Sequence, residues 1–377
     1  MKESIERKDM KILLTHDLYK PALNGVVTSM EALYEGLKAL GHDVKILTLS
    51  HDIHQKNNEE ELYEVRSMPA GFIYPGVRAT LSSRNKLVRE LVKWNPDIIH
   101  SQSEFFTYRM ATYISQKCNA PIIHTYHTDY EYYIRYIQPI RKLDEPLSKG
   151  FLQNRMQYVK HIIAPSEKSK EQLRKFGLGQ QISVIPTSLP GPKSVLTEEE
   201  QATMRKELGI PQHTPILLFL GRIAEEKNIE ELFAMHKVFL QTQPDAKFLV
   251  VGDGPYKKAL EKLVEKMELN DNVIFTGAVP NTDVWKYYQV ASVFVNASKS
   301  ETQGLTFFEA LSNGLPVVCR YDSCLDELEG NLFFYEDTES FCNLIQKAIP
   351  EKRSPGAMAN TELDFAQKVL EIYERYV

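Results

Sequence analysis

The feature that most constrains the fold is a strand–helix alternation that runs through the chain twice and breaks once, at Pro186 to Lys193 (PTSLPGPK). In the first run, Met10 to Thr15 is a short apolar strand. Val26, Met30, Leu33, Leu37 and Leu40 then recur at spacings of three and four, the stripe of a helix. Gly41 stops that helix and Val44 to Leu49 is the next strand. Further strands are predicted at Ile98–Ile99, Ile122–His124 and Ile162–Ala164, each after helical sequence. The second run has strands at Ile216–Leu220, Phe248–Val251, Val273–Phe275, Val293–Asn296 and Pro316–Cys319. Helices are predicted between them at Ile229–Leu240, Lys257–Met267 and Thr306–Ser312, and helical spacing resumes from Thr361 to the end. Strand, helix, strand in this order implies parallel pairing with right-handed crossovers. The expected architecture is α/β, with two Rossmann-like doubly wound domains. Ligands of such sheets bind beyond the carboxyl ends of the strands.

At 377 residues the chain exceeds one ordinary core, which agrees with two domains. A 43% hydrophobic and 25% charged composition excludes a disordered or membrane-embedded class, and no apolar run approaches the roughly 20 residues that span a bilayer. The N-terminus (MKESIERKDMKILL) is charged and runs into a strand, so it does not read as a signal peptide. Cys118, Cys319, Cys324 and Cys342 lack zinc or redox spacing and are expected as reduced thiols of a cytoplasmic protein. Residues 1–190 carry 26 Lys and Arg against 21 Asp and Glu, whereas residues 191–377 carry 19 against 29. A basic half beside an acidic half suits an anionic surface or substrate on the first, and an undirected drift of surface charge fits equally well.

Four groups of residues are candidates for chemistry. Arg222 follows a strand, and Lys227 lies five residues on (GRIAEEK): a guanidinium fork and a point charge suited to a diphosphate. The competing reading is a solvated loop in which Glu225 and Glu226 pair with these cations. Glu301 and Glu309 bracket TQGLTFF, with Gly304 where the chain turns into a helix whose N-terminus favours an anion. Glu309, about a turn into that helix, is suited to bridge ribose hydroxyls, and Glu301 to reach sugar hydroxyls; two ordinary surface glutamates are the alternative. Gly25 follows the first strand, where backbone comes close to a ligand or merely turns. Gly252 and Gly254 (VGDGP) lack the third glycine of a dinucleotide fingerprint and read as a tight strand-to-helix turn. His124, His127 and Asp129 are poorly spaced for a metal, and a histidine at that strand's end is better used as a hydrogen-bond donor to substrate. Tyr126, Tyr130, Tyr132, Tyr133 and Tyr136 precede or flank Arg135, Arg141, Lys142, Lys149, Arg155 and Lys160. Aromatic and basic residues together suit the headgroup layer of an anionic membrane; a mixture of core tyrosines and solvated cations is the bland alternative. Nucleic acid is disfavoured by the acidic whole. No Walker A, G-x-S-x-G, zinc or D-x-D pattern occurs.

In order along the chain stand NGV, HTYHTDYEYYIRYI, IIAPSEKSKEQLRKFG, VIPTSLP, FLGRIAEEKNIEELF, VVGDGP and SKSETQGLTFFEALSNGLPVV. Together they resemble the retaining glycosyltransferases of family 4 over about residues 10 to 375. HTYHTDYEYYIRYI and ETQGLT look most like the bacterial members that glucosylate diacylglycerol. The resemblance implies a GT-B fold, with two Rossmann-like domains facing a central cleft. It implies an acceptor-side domain at 1–188, a nucleotide-sugar donor domain at 189–360, and a last helix at 361–377 crossing back to the first. By motif, Arg222 and Lys227 hold the donor diphosphate and Glu309 the ribose. Glu301 and the backbone of Thr302, Gln303, Gly304 and Leu305 meet the transferred sugar and phosphates. His127 hydrogen-bonds the sugar, Gly25 lines the diphosphate site, and the base lies near Gly277 to Pro280, at Val279. Arg222, Lys227, Glu301 and His127 are thus the expected catalytic set, with no metal and no cofactor beyond the donor. The expected partners are UDP-glucose, a lipid acceptor such as diacylglycerol, and an anionic membrane on whose cytoplasmic face the protein sits peripherally. Tyr130, Tyr133, Arg135, Arg141, Lys142 and Arg155 are assigned to that surface. Alternatives are a family 4 hexosyltransferase for a polysaccharide, teichoic acid or glycoprotein acceptor, and a non-catalytic GT-B partner subunit. After Asp322, CLDELEGNLFFYED is shorter than the family pattern, which bears on the local loop alone.

Overall fold

The structure, a computed structural model, describes residues 9–20, 25–50, 60–70, 78–127, 144–187, 192, 194–298, 301–326, 328–356 and 362–377. The chain divides into two compact units, residues 1–188 with 360–377 and residues 189–359. The linker candidate Pro186 to Lys193 spans that division, although Ser188 to Gly191 and Lys193 lie outside the described residues.

The first unit holds β1 (Lys11–Thr15), β2 (Asp43–Leu49), β3 (Leu62–Val65), a small antiparallel pair β4 (Met68–Pro69) and β5 (Arg78–Ala79), then β6 (Ile98–Ser101), β7 (Ile122–Thr125), β8 (Val159–Ala164) and β9 (Gln181–Val184). Seven of these form one sheet in the order β3-β2-β1-β6-β7-β8-β9, with every pair parallel. The second unit holds β10 (Ile216–Leu220), β11 (Lys247–Val251), β12 (Val273–Gly277), β13 (Val293–Asn296), β14 (Val317–Cys319) and β15 (Leu332–Phe334). Their order is β12-β11-β10-β13-β14-β15, again all parallel.

Helices cover both faces of each sheet, and this explains why the central strands are uninterrupted apolar runs. In β10 (ILLFL) every residue is buried. Leu217 and Phe219 enter one core, while Ile216, Leu218 and Leu220 enter the core on the opposite face. In β1, Leu13 and the pair Ile12 and Leu14 divide in the same way. Successive side chains of a strand point to opposite faces, so both cores draw on the same five residues.

The helix Glu362–Tyr373 belongs to the first unit, where Phe365, Ala366, Val369, Leu370, Ile372 and Tyr373 join the core that holds Val27, Met30, Leu33 and Leu37 of the helix Gly25–Ala39. Two histidines of the sheet fasten this C-terminal segment. Buried His100 hydrogen-bonds the Tyr373 hydroxyl at 2.5 Å and Thr125 Oγ1 at 2.7 Å, and His161 meets the Tyr376 hydroxyl at 3.1 Å and Ser183 Oγ at 2.9 Å. Burial lowers His100 to about 3, so its ring is neutral at physiological pH.

Strand β15 stands where the short segment after Asp322 ends. Asp322 accepts from the Cys324 N–H at 2.9 Å to start a 3-10 turn, Ser323–Leu325, and the chain then reaches β14 through Leu332–Phe334. The shortened loop therefore leads into a strand at the sheet edge.

Candidate active site

In the second sheet the strand order reverses between β10 and β13, the position beyond whose carboxyl ends ligands of such sheets bind. The loop after β10 carries Arg222 and Lys227. It is zipped to the loop after β11: the Gly221 N–H donates to Val251 O (3.0 Å), the Ile223 N–H to Asp253 O (2.9 Å) and the Tyr256 N–H to Ile223 O (3.2 Å). This contact explains the glycines of VGDGP. A Cβ at Gly252 would lie 1.9 Å from Gly221 O, and one at Gly254 would lie 2.1 Å from Ile223 O. Two side chains are forbidden there because two backbones touch. The pair supports the loop that bears the cations, in the tight strand-to-helix turn the spacing predicts.

A 3-10 turn, Glu225–Lys227, brings Lys227 back over the strand ends, and the helix Ile229–Phe239 follows. Lys227 Nζ lies 2.6 Å from Glu301 Oε1 and 3.5 Å from Ser298 Oγ. The two charged side chains are only 19% and 13% exposed, so solvent screens the pair weakly. Two residues 74 positions apart are thus joined at the topological reversal, one from the loop after β10 and one from the loop after β13. Arg222 has a different neighbour. Its guanidinium forms an ion pair with Glu226, which is nearly buried, while Arg222 itself stays 44% exposed. Pairing with the adjacent glutamates therefore holds for Arg222, whereas Lys227 is paired with Glu301.

Gly304 caps the helix Leu305–Ser312 in the left-handed region, with φ 75°. A Cβ there would meet the Phe307 ring at 2.8 Å and Leu325 at 3.2 Å, so glycine serves both conformation and packing. It brings no side chain to the N–H groups of the first turn, and Thr302 and Gln303 lead directly into it. One turn on, Glu309 Oε2 accepts a hydrogen bond from Tyr288 Oη at 2.6 Å. Burial raises the Glu309 carboxyl to about 7, with the Tyr288 hydrogen bond pulling the other way. Burial likewise keeps the Tyr288 hydroxyl protonated, and hence a donor. Val279, just past β12, packs against the core that includes Tyr288.

The first sheet reverses between β1 and β6. Its ligand end gathers His16 and Asp17 after β1, Gln102 to Glu104 after β6, and His127 after β7. Asp17 caps the helix Phe106–Cys118 by accepting from the N–H groups of Phe106 (3.1 Å) and Thr107 (2.7 Å). The Gln102 N–H donates to Thr15 O at 2.8 Å, and its side-chain oxygen meets His127 Nε2 at 3.0 Å. His124 is fully buried within β7, its Nε2 2.9 Å from Glu104 Oε1. Of the two histidines at this strand, His124 faces the interior and His127 is the one at the strand's end. Gly25 opens the helix Gly25–Ala39 and is exposed. Among the described residues, no group of three or more His, Cys, Asp or Glu side chains is arranged to hold a metal ion.

Of the tyrosine and cation segment, Tyr126 is a core residue whose hydroxyl donates to Gln172 at 3.2 Å. Arg155 is half-buried and stacks on Phe151, 5.4 Å from its centroid. Tyr130, Tyr133, Arg135, Arg141 and Lys142 lie outside the described residues, as does Asp129. Among the described residues no helix is long and apolar enough to cross a membrane. Glu226, Tyr288, Gln102 and Glu104, which hold or flank the candidate residues, carry no motif of their own; only Glu226, four residues from Arg222, had a local signal.

Solved structures share this architecture. Anabaena Alr3699/HepE in complex with UDP and glucose aligns over 97% of this chain and 99% of its own, with a TM-score of 0.74 at 17% identity. Sucrose-phosphate synthase from Thermosynechococcus elongatus aligns over 97% and 98%, with a TM-score of 0.67 at 21% identity. Two parallel, doubly wound units of this kind define the GT-B fold class.

Residues 23–189 match the family described as Glycosyltransferase Family 4, and residues 200–360 match Glycosyl transferases group 1. The alpha-monoglucosyldiacylglycerol synthase of Acholeplasma laidlawii is 30% identical over 97% of this chain and 95% of its own length. The enzyme of the same name from Streptococcus pneumoniae is 32% identical over 86% and 74%. The chain belongs to glycosyltransferase family 4.

Proposed function

We propose that this chain transfers a glucosyl unit from UDP-glucose to diacylglycerol at the cytoplasmic face of a membrane, with retention at the anomeric carbon. The observation that carries the donor half is the meeting of Lys227 and Glu301 at the reversal between β10 and β13, beside the Gly304 helix opening. A nucleoside diphosphate sugar needs cations and N–H groups for its phosphates and carboxylates for its hydroxyls. Both are supplied by adjoining loops. The lipid half is supported by the two relatives named for monoglucosyldiacylglycerol synthesis.

In this reading Arg222, Lys227 and the N–H groups of Thr302 to Leu305 stabilise the departing diphosphate. Glu309 accepts from the ribose hydroxyls, Val279 borders the base, and Gly25 lines the diphosphate. Glu301 and His127 hold the transferred sugar. The bond from the anomeric carbon to the phosphate oxygen breaks with its electron pair leaving on UDP, while the acceptor oxygen bonds that carbon from the same side. A leaving phosphate oxygen takes the acceptor's proton. The named cations carry the charge that develops, so the reading calls for no metal or other cofactor. Tyr130, Tyr133, Arg135, Arg141, Lys142 and Arg155 are assigned to the anionic membrane surface.

The test is incubation of the protein with UDP-glucose and anionic liposomes containing diacylglycerol, followed by NMR of the product's anomeric carbon. An α-glucosyl lipid is expected. Transfer only to a water-soluble acceptor would refute the lipid assignment, and a β product the retention.

A further inference from the structure

We infer that Gln102 is a positioning residue that fixes His127 as its Nε2–H tautomer, so that His127 presents Nδ1 as a hydrogen-bond acceptor to a substrate hydroxyl. This inference rests on the assignment of His127 to the transferred sugar and reverses the donor role expected of a histidine at that strand end.

Gln102 is buried and its backbone is held at the sheet's reversal. Gln102 is 3% exposed, and its backbone N–H is tied to Thr15 O at 2.8 Å, across the β1–β6 reversal. Its Oε1 faces His127 Nε2 at 3.0 Å. An amide oxygen has lone pairs and no proton, so the hydrogen in that contact belongs to the imidazole. A neutral imidazole carries one N–H. Once it is committed at Nε2, Nδ1 holds a lone pair.

The surroundings keep the ring neutral. Burial, followed by the neighbouring rings of His16, His124 and His100, holds His127 well below the usual histidine range. His16 follows β1, His124 and His100 lie within β7 and β6, and the adjacent carboxylate, Glu104, is engaged with His124. A second proton on His127 would place an imidazolium among three other imidazoles. A hydroxyl of the sugar would therefore donate to His127. Such a contact places lone-pair density, without net charge, beside the positive carbon of an oxocarbenium-like transition state.

The tautomer is read directly from two-bond nitrogen–proton spectra of the full chain labelled with ¹⁵N-histidine, with the His127 signals assigned by their loss in His127→Gln. The expected pattern at pH 7 is protonated Nε2 and bare Nδ1; the opposite pattern overturns the inference. Turnover of UDP-glucose is then compared for Gln102→Leu and Gln102→Glu across pH 5.5 to 8.5. Gln102→Leu frees the tautomer and should lower kcat about tenfold, the worth of one polar contact in a buried site, with the donor KM little changed. Gln102→Glu keeps the acceptor at Nε2, restores kcat at high pH, and adds an acid limb because a carboxylate stabilises the imidazolium. A flat Gln102→Glu profile, or unchanged kcat in Gln102→Leu, overturns it. His127→Ala separates the two layers: if it turns over normally, the assignment of His127 to the sugar fails irrespective of tautomer.

Discussion

Glu309 has a carboxyl raised to about 7 from an ordinary 4.5, and its removal makes the cost of that burial measurable. The perturbation is Glu309→Gln, which keeps an oxygen to accept from Tyr288 and removes the charge. A raised pKa means that the folded protein holds its proton where the unfolded chain has released it. The wild type therefore has its full stability below about 4.5 and loses part of it as pH rises through about 7. The gap between those values corresponds to about 3 kcal/mol, at about 1.4 kcal/mol per pKa unit. The glutamine variant has no such slope. Its advantage over wild type should be close to nil at pH 4.5, grow through pH 6, and level off near 3 kcal/mol above pH 7.5. The chain has two tryptophans, Trp94 in the first unit and Trp285 on the helix Val284–Val290 beside Tyr288. Urea unfolding followed by Trp285 fluorescence in a Trp94→Phe background reports the second unit. UDP should narrow or reverse the difference, since two ribose hydroxyls can donate to the ionised carboxylate and the amide offers them a weaker, single acceptor. Parallel stability profiles for wild type and variant from pH 4.5 to 8 would refute the claim that this carboxyl is desolvated.

Because Glu301 competes with phosphate for Lys227, Glu301→Gln should bind UDP about fivefold more tightly by calorimetry while losing turnover, a gain of about 1 kcal/mol. Lys227→Met should weaken UDP by about 10- to 100-fold, the worth of a charged hydrogen bond, and the two effects should fail to add, as expected for a directly coupled pair. Gly252→Ala and Gly254→Ala drive a methyl into the backbone of Gly221 and Ile223. Each should cost about 1–3 kcal/mol in urea unfolding and displace Arg222 and Lys227, with loss of UDP binding. Tyr373→Phe leaves a buried nitrogen of His100 without its partner and should destabilise the first unit by about 1–3 kcal/mol, read from Trp94 fluorescence; equal stability would show the contact to be dispensable.

The central strands were legible because both of their faces are covered. Ile216–Leu220 is apolar throughout and Val293–Asn296 is apolar up to its last residue, and their boundaries match the sequence reading. β3 (LYEV), β9 (QISV) and β15 (LFF) were not found. Each is an edge strand, half-buried, whose extended form comes from pairing with one neighbour rather than from its own pattern. The site divides similarly. Arg222 with Glu226 is a contact four residues apart and lay open to a local reading. Lys227 with Glu301, Tyr288 with Glu309 and Gln102 with His127 join elements 74, 21 and 25 residues apart. Spacing shows that such residues sit at strand ends or on helices, and only the strand order shows which ends adjoin. The two histidines of HTYH make the same point: one is inside the sheet and one beyond it, a difference set by where β7 stops.

The helix Glu362–Tyr373 packs on residues near the start of the chain, with the whole second unit encoded between them. During synthesis the first unit is therefore left with an uncovered apolar face until the helix Glu362–Tyr373 has been made. The intervening unit has its own cores and closes locally, so the entropy of joining the two ends is less than the bare separation implies. The nascent chain must nonetheless keep Val27, Met30 and Leu33 from other partners until that helix arrives. Truncation by a dozen residues should damage yield more than a loop deletion of equal length, with the loss felt at the opposite end of the sequence.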